Sequence, residues 1–291
     1  MDRDTAKAEI ERLKQLLRSY EYEYYVRARP SVSDAEYDRL FDRLVRLEAE
    51  FPDLKTPDSP SLRVGSDLVS DFPEVSHSIP VLSLDKAYSA KEVIGWMAKL
   101  RAQVGEELSF VAEEKIDGSS IVLTYENGLL VRGATRGNGF VGNDITANVR
   151  TIRTVPLSLT KPVSCIVRGE IFLPPSKFEE INRSLDEPFA NPRNLAAGTL
   201  RRIKSSEVSR VPLDIFVYEG FFPEPVSSHT ETIEILKSLG FKVNERMAVF
   251  CSGEKARSAA NVSGTGAITS GIPFIPRFAL YIALSACEKL S

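Results

Sequence analysis

The feature that most restricts the fold is an Asn127-Gly128 pair placed between two apolar segments, Ile121–Tyr125 and Leu129–Ala134. An Asn-Gly pair favours the tight turn of a β-hairpin, because both residues tolerate the positive φ angles that the turn requires. Similar patterns predict three further strands and two helices, namely Phe110–Lys115, Cys165–Leu173 and Leu213–Phe222 as strands and Ser176–Ser184 and Thr230–Leu239 as helices. Strands mixed with separate helices predict an α+β fold with a mixed or antiparallel sheet.

The first 50 residues show helical periodicity instead. Apolar residues recur at helical spacing in two stretches: Ile10, Leu13, Leu17, Tyr20 and Tyr24, and then Tyr37, Leu40, Phe41, Leu44 and Leu47. Ser33 and Glu36 have the spacing of a capping box, and the short connection between the stretches predicts an antiparallel helical hairpin. Residues 53–80 are rich in Pro, Ser and Asp and predict a linker or irregular loop. Residues 91–104 predict another helix, with Val93, Ile94, Met97 and Leu100 facing inward.

Composition narrows the class of protein. The chain has 291 residues, 43% of them hydrophobic, which predicts a sizeable buried core. The sequence shows no apolar membrane span and no secretory signal, so we expect a cytoplasmic protein that does not insert into a membrane. The three cysteines lie far apart, which argues against a disulfide framework and a zinc site. The formal net charge of −3 means that any nucleic-acid contact needs a local basic patch.

The residues with the clearest chemical meaning are Glu113, Lys115 and Asp117. If the strand continues this far, its alternation places the amine and both carboxylates on one face, and Gly118 then permits a tight turn or the close approach of a ligand. A lysine is a nucleophile only when it is neutral, and flanking carboxylates favour its charged form. Such a site therefore needs a compensating cation, for example a metal or a cationic leaving group. The alternative is an exposed ladder of alternating charges.

A second motif, Gly137-Asn138-Gly139-Phe140-Val141-Gly142, matches the dinucleotide pattern G-x-G-x-x-G. We interpret it as a glycine-rich hairpin turn, because no acidic residue for a ribose lies between Asp144 and Glu170. Arg132 and Arg136 lie four residues apart beside it. If the strand extends over both arginines, they share one face and can bind a phosphate. The alternative is that both side chains are solvated.

Two further groups of charges have a functional and a structural interpretation. Arg168 and Glu170 interrupt an apolar strand, which indicates either a functional site or a buried Arg–Glu pair. Arg193, Arg201, Arg202 and Lys204 form a basic cluster that suits phosphate contacts or a solvated helix face.

Aromatic and acidic residues also gather in the N-terminal hairpin. Asp34, Tyr37 and Asp38 share one helix face, and Tyr24 and Tyr25 end the helix before it. Two aromatics with two carboxylates suit a flat cationic ring, whereas packing and capping are the alternative explanation. The two histidines, His77 and His229, show no partner pattern and receive no role.

Taken together, six ordered segments resemble the bacterial NAD-dependent DNA ligases from about residue 5 to residue 252. They are YEYEYYVRARPSVSDAEYDRL, HSIPVLSLDKAY, EEKIDGSS, GATRGNGFVGNDIT, RGEIFLP and FANPRNLAAGTLR. The resemblance implies a helical NMN-binding subdomain over residues 1–68 and a nucleotidyltransferase (adenylation) domain of the ATP-grasp-like ligase type over residues 69–253. The presence of the hairpin implies that the enzyme uses NAD and not ATP.

The resemblance also implies a mechanism. Lys115 attacks the α-phosphate of NAD, releases nicotinamide mononucleotide (NMN) and forms lysyl-AMP; AMP then passes to the 5′-phosphate of a DNA nick, which the 3′-hydroxyl seals. The implied partners are NAD, magnesium and nicked double-stranded DNA, with the protein acting as a monomer in DNA replication and repair. Asp117 belongs with Lys115 to the catalytic motif. The implied binding residues are Tyr24, Tyr25, Asp34, Tyr37 and Asp38 for the NMN half, and Ser83, Leu84, Glu113, Gly118, Arg136 and Glu170 for AMP.

Residues 254–291 depart from this family pattern. A strand of the form E-I-D-G-V-V-I-K and a later lysine are expected there, and neither is present. We therefore expect the tail to be out of frame or to belong to a truncated gene product, which resequencing of the coding DNA tests. Loss of that strand is expected to expose apolar surface and to remove charge neutralisation. Two other functional interpretations stay open: an inactive remnant that only binds NAD, and a dehydrogenase based on the G-x-G-x-x-G match.

Overall fold

A computed structural model describes residues 2–27, 29, 31–63, 72–81, 87, 89–104, 108–185, 188–250 and 280–286. Within these ranges the chain combines helices with antiparallel sheets, so the predicted α+β class is confirmed. The helices are α1 (Arg3–Glu21), α2 (Asp34–Glu50), α3 (Ala90–Val104), α4 (Thr146–Arg150), α5 (Pro175–Asn182), α6 (Pro192–Leu200), α7 (Ser205–Val208) and α8 (His229–Ser238). No helix among these residues is long and apolar enough to cross a membrane.

Helices α1 and α2 form the predicted antiparallel hairpin. Arg43 of α2 pairs with Glu9 of α1 at 2.9 Å, and Tyr37 near the start of α2 contacts Glu21 at the end of α1. Ser33 caps α2 by accepting a hydrogen bond from the backbone N–H of Glu36 at 3.3 Å, as the capping-box spacing predicted. The shared core contains the predicted apolar positions Ile10, Leu13, Leu17, Leu44 and Leu47.

The prediction that Tyr24 continues the apolar face of the first helix is wrong. After Glu21 the helix widens into a single π-helical turn, Tyr22–Val26, which shifts the residues that follow around the helix axis. The side chain of Tyr24 is consequently 48% exposed.

Within the segment predicted as an irregular loop, residues 53–80, the described parts (53–63 and 72–80) are more ordered than expected. It contains 3-10 turns at Pro52–Leu54 and Pro60–Arg63 and the strand β1 (Glu74–Ser76). Its polar residues form a buried network in which Ser59 and Ser61 both donate hydrogen bonds to the Glu48 carboxylate. Composition suggested a loop, but these serines satisfy a buried acid and stabilise the turn.

The larger sheet follows the order β4-β3-β6-β7, with every neighbouring pair antiparallel. Its strands are β3 (Ser119–Glu126), β4 (Leu129–Thr135), β6 (Cys165–Phe172) and β7 (Asp214–Phe221). The Asn127-Gly128 turn joins β3 to β4, with φ angles of 48° and 79°, as predicted. One face of this sheet packs against helices through the main core, which includes Leu123, Val167 and Leu236.

The smaller sheet follows the order β8-β2-β9 and consists of β2 (Leu108–Glu114), β8 (Met247–Phe250) and β9 (Leu280–Ala286). Among the residues that the structure describes, the buried members of its apolar cluster are Met97, Leu108, Phe110 and Ala112. Strand β9 lies within residues 254–291, the tail that departs from the family pattern. The segment LYIALSA does alternate apolar and smaller or polar residues, a pattern that suits a strand, and its backbone pairs with β2 from Leu108 to Glu114.

A third, two-stranded sheet pairs β1 with β5 (Val141–Asn143). The chain that continues from β1 is tied to the turn after β4, because Val81 donates its backbone N–H to the carbonyl of Gly139 at 2.8 Å. Residues 74–81 therefore lie against the β4–β5 connection.

Candidate active site

Lys115 is the first residue after β2, and its side chain is exposed. The chain then turns through Gly118 into β3. Gly118 leaves no room for a side chain, because a Cβ atom there would lie 2.1 Å from the carbonyl oxygen of Ile171 on β6. The close neighbour of this glycine is therefore the protein backbone, and the turn leads the chain from β2 of the three-stranded sheet to β3 of the four-stranded sheet.

The expected row of Glu113, Lys115 and Asp117 on one strand face is wrong in geometry. Strand β2 ends at Glu114, so the alternation does not extend to Asp117. Glu113 turns inward, where its carboxylate lies 3.0 Å from Nε2 of His229. The two carboxylates that flank the lysine therefore face different partners.

Asp117 faces the basic cluster. Its carboxylate accepts a hydrogen bond from Nη1 of Arg193, at the start of α6, at 2.8 Å, and both side chains are about half exposed. Arg193 thus supplies one of the cations that the carboxylates around Lys115 require. Of the other basic residues, Arg202 pairs with Glu207 at 3.2 Å, while Arg201 and Lys204 have exposed side chains.

Glu170, on β6, is buried on the face of the larger sheet that points away from the main core. It accepts hydrogen bonds from the backbone N–H of Gly118 at 3.2 Å and from Oγ of Ser120 at 2.7 Å. Burial raises the pKa of Glu170, and the Ser120 hydroxyl and the charge of Lys115 oppose that rise. Glu170 therefore holds the turn that follows Lys115 through the backbone N–H of Gly118.

Arg168 does not form the buried pair with Glu170 that one interpretation predicted. Its Nη1 donates instead to Glu219 on β7 at 2.7 Å, and its Nη2 donates to the carbonyl of Pro80 at 2.7 Å. A bulge between β6 and β7 at Arg168 and Gly169 brings Glu219 opposite this arginine. Arg168 therefore ties the sheet to the segment that follows β1.

Arg136 and Arg132 do not share a strand face, because β4 ends at Thr135. Arg136 donates from Nε to the carbonyl of Val81 at 3.2 Å and is half-buried. Arg132 is exposed and lies 3.9 Å from Asp144. The predicted AMP-site residues Ser83 and Leu84 lie outside the described residues.

The glycine-rich motif forms the turn between β4 and β5, with Gly137 and Gly139 at φ angles of 54° and 96°. At Gly137 a Cβ atom would lie 1.9 Å from the carbonyl oxygen of Val141. Position 137 therefore requires glycine because of its positive φ angle and because there is no space for a side chain. A strand follows it, whereas a dinucleotide fingerprint opens a helix. The hairpin interpretation of this motif is correct.

The predicted NMN-binding residues of the hairpin differ in their exposure to solvent. Tyr24 and Asp38 are exposed, and the side chains of Tyr25 and Asp34 lie outside the described part of the structure. Tyr37 is half-buried: its hydroxyl donates to Glu21 at 2.9 Å and lies 3.3 Å from Nη1 of Arg153. Burial, followed by the charge of Glu21, raises the pKa of Tyr37.

This tyrosine belongs to a polar contact between the hairpin and the domain that follows it. Glu21 is only 4% exposed and also pairs with Nε of Arg63 at 3.2 Å. Arg63 in turn donates to the carbonyls of Ile152 and Val155 at 2.8 and 2.9 Å. Buried charges with this many partners hold the hairpin against the segment after α4.

Sequence reasoning missed three residues around the site. His229 opens α8 and contacts Glu113, and the Ser228-x-x-Glu231 capping pattern could have revealed that a helix begins there. Tyr218 on β7 is partly buried near Glu170, and burial raises its pKa to about 12. His77 supports the turn that carries Arg136, because its Nε2 lies 3.1 and 3.2 Å from the carbonyls of Thr135 and Arg136.

The described residues contain no group of three His, Cys, Asp or Glu side chains that could hold a metal ion. The carboxylates of Glu113, Asp117 and Glu170 each already accept from a neighbouring group. Among the described residues, side chains alone therefore do not provide a three-ligand magnesium site.

Two family models match the chain. The model described as the NAD-dependent DNA ligase adenylation domain matches residues 69–262, and the model described as the DNA ligase-like, N-terminal NAD+-binding domain matches residues 3–65.

Curated proteins named DNA ligase are also similar to this chain. The protein from Fervidobacterium nodosum is 46% identical over 86% of this chain, that from Bacillus pumilus 45% over 84%, and that from Thermotoga maritima 47% over 81%. The chain spans 37%, 38% and 35% of the length of these three relatives.

Proposed function

Since this chain belongs to the family of NAD-dependent DNA ligase adenylation domains, we propose that it takes up AMP from NAD on the side-chain amine of Lys115. The observation that carries the proposal is the placement of this amine. Lys115 is exposed on a turn whose backbone is tied to β6 through Glu170, and a compensating arginine lies beside Asp117. An accessible amine held on a rigid turn is what an attack on phosphorus requires.

The proposed reaction exchanges one bond for another. The neutral amine of Lys115 attacks the α-phosphorus of NAD, a P–N bond forms, and the P–O bond to NMN breaks. The amine loses a proton, and NMN departs with the bridging oxygen. In this proposal Glu113, Gly118, Arg136 and Glu170, together with Ser83 and Leu84, line the AMP site.

The hairpin supplies the proposed contacts to the NMN half. Its match to an NAD+-binding domain supports this assignment. Tyr24 and Asp38 present an exposed aromatic ring and an exposed carboxylate, which suit a cationic ring. Tyr25, Asp34 and Tyr37 complete the proposed set.

Magnesium enters the proposal only as an ion carried by the phosphates of NAD. Magnesium keeps several waters and is commonly bound through substrate phosphates with few protein ligands. When bound, such an ion would neutralise phosphate charge, and the steps above depend on the residues of the chain.

Nicked double-stranded DNA is the proposed acceptor of AMP in the whole protein. The exposed Arg193, Arg201 and Lys204 offer phosphate contacts on a chain whose net charge is −3. Sealing by the 3′-hydroxyl would complete the reaction in replication and repair. We further propose that the protein is a monomer in the cytoplasm. Its proposed domain boundaries lie at residues 68 and 253, and the family matches that meet between residues 65 and 69 support the first boundary.

The proposal is tested by intact mass. The purified chain is incubated with NAD and magnesium beside a Lys115→Ala variant. A gain of one AMP in the first sample only is the expected result. A folded chain that binds NAD but gains no mass would be the inactive remnant, and the proposed chemistry would be wrong for this chain.

A further inference from the structure

The inference concerns the buried contact between Glu113 and His229. The two side chains are 6% and 8% exposed, and Nε2 of His229 lies 3.0 Å from Oε2 of Glu113. They come from β2 and α8, which are 116 residues apart in sequence. A buried carboxylate is costly unless a donor satisfies it, so Glu113 depends on a neighbour of this kind.

The contact lies at the entry to the Lys115 turn. Glu113 is the second residue before Lys115, at the end of β2. The adjacent Glu114 is held from outside, because Arg246 donates to its carboxylate at 3.1 Å and Asn244 donates to its carbonyl at 3.5 Å. These outer contacts are more exposed than the inner one. His229 therefore provides the water-excluded tie at this end of the turn.

The exit from the turn is held in a similar way. Gly118 donates its N–H to the buried Glu170 at 3.2 Å, and Asp117 pairs with Arg193. The turn between Glu113 and Gly118 is thus held by one buried carboxylate at each end, on two different sheets. If the donor to Glu113 is lost, its carboxylate must turn toward water, and the end of β2 that precedes Lys115 shifts with it.

We propose that His229 is a positioning residue for Lys115: its hydrogen bond to Glu113 fixes the end of β2 from which the lysine projects. The proposal rests on the proposed function in naming Lys115 as the nucleophile. The tie itself rests only on the geometry of Glu113 and His229. A displaced amine attacks slowly even when its substrate is fully bound, because attack requires alignment within a fraction of an ångström.

Two polar substitutions of different reach test the tie. In His229→Gln the amide nitrogen takes the place of Nε2 and keeps the donor to Glu113. In His229→Asn the amide takes the place of Nδ1 and falls short of the carboxylate. Ser61→Ala is the matched control, because it also removes a donor to a buried carboxylate, that of Glu48, but in the N-terminal region.

The first readout is the single-turnover rate of AMP uptake, measured across NAD concentrations. For His229→Asn we expect the rate at saturating NAD to fall by about tenfold or more, with a change of less than about threefold in the NAD concentration that gives half the maximal rate. His229→Gln should stay within about threefold of the unaltered chain in both quantities. Ser61→Ala should leave both quantities unchanged. An unchanged rate in His229→Asn, or an equal loss in Gln and Asn, would overturn the proposal.

The second readout is hydrogen exchange of the peptide that spans residues 108–118. We expect faster exchange in His229→Asn than in His229→Gln or Ser61→Ala. This measurement needs no catalysis. If the unaltered chain takes up no AMP, the proposed function fails while exchange still decides whether His229 holds the turn. Equal exchange in His229→Asn and His229→Gln would contradict the tie.

Discussion

The two larger sheets of this protein differ in how they are built and in what they carry. The four-stranded sheet is covered by the main core, and two of its strands, β3 and β4, form a local hairpin. The three-stranded sheet joins segments that lie far apart in sequence and carries Lys115 at the end of its central strand. Its described apolar cluster has fewer buried members than the main core. We therefore expect the four-stranded sheet to contribute most of the stability and the three-stranded sheet to position Lys115, the proposed nucleophile.

The largest expected effect separates these roles at Lys115 itself. Lys115→Ala should abolish AMP uptake completely, because the proposed P–N bond has no other donor. The free energy of unfolding should change by no more than about 0.5 kcal/mol, because the side chain is exposed. Intact mass and denaturant unfolding check the two parts. Residual uptake would assign the nucleophile elsewhere.

A core substitution in the larger sheet should do the opposite. Leu123 is fully buried on β3, so Leu123→Ala should lower the free energy of unfolding by about 2–5 kcal/mol. Met97→Ala, in the cluster beside β2, should cost less, because the described part of that cluster contains fewer buried side chains than the main core. Denaturant unfolding of both variants decides the matter. A larger loss from Met97→Ala would reverse the assigned roles of the sheets.

The same contrast should appear in local opening. Backbone amides of β2 should exchange with solvent about tenfold faster than those of β3, which corresponds to a difference of about 1.4 kcal/mol in opening free energy. The reason is the smaller apolar cluster beside β2. Hydrogen exchange under native conditions measures both strands in one sample. Equal protection would show that the two sheets open as one unit.

The smallest expected effect concerns Glu170, which links the larger sheet to the Lys115 turn. Burial raises its pKa in the folded state above that of the unfolded chain. The folded protein then holds this proton more tightly, so the contribution to stability is fully present below the unfolded-state pKa. It is lost as pH rises through the folded-state pKa.

Glu170→Gln removes this titration. Relative to that variant, the unaltered chain should therefore lose stability as pH rises from the ordinary carboxyl range through the raised pKa. Unfolding at a series of pH values tests the sign. A relative gain over that interval would mean that hydrogen bonds to the carboxylate outweigh its burial.

Sequence reasoning predicted the local elements well, because they depend on nearby residues. The Asn127-Gly128 hairpin, the helical hairpin and the Ser33 cap all formed as expected. Gly240 also ends α8 with a φ angle of 96°, in agreement with the predicted helix end. Family motifs singled out Lys115 and Glu170, and Glu170 accepts a hydrogen bond from Gly118 in the turn that follows Lys115.

Contacts between distant segments could not be predicted in the same way. Glu113, near the end of β2, contacts His229, which lies 116 residues away in sequence. Strand periodicity predicts which face a side chain occupies, but it does not predict a partner from a distant helix. Arg168 pairs with Glu219 and not with Glu170. A bulge shifts the register between β6 and β7 by one residue and places Glu219 opposite Arg168. The π-helical turn exposed Tyr24 for a similar reason, since an inserted residue changes the helical phase.

The most direct test of the central claim follows the two halves of NAD separately. The chain is incubated with NAD labelled in the phosphate of its adenosine half, and in parallel with NAD labelled in the NMN half, and each sample is then digested and mapped. The account predicts that only the adenosine-half label stays with the protein, on the peptide that contains Lys115, while the NMN label is released. Retention of the NMN label, attachment to a peptide without Lys115, or no attachment in a folded sample would contradict it.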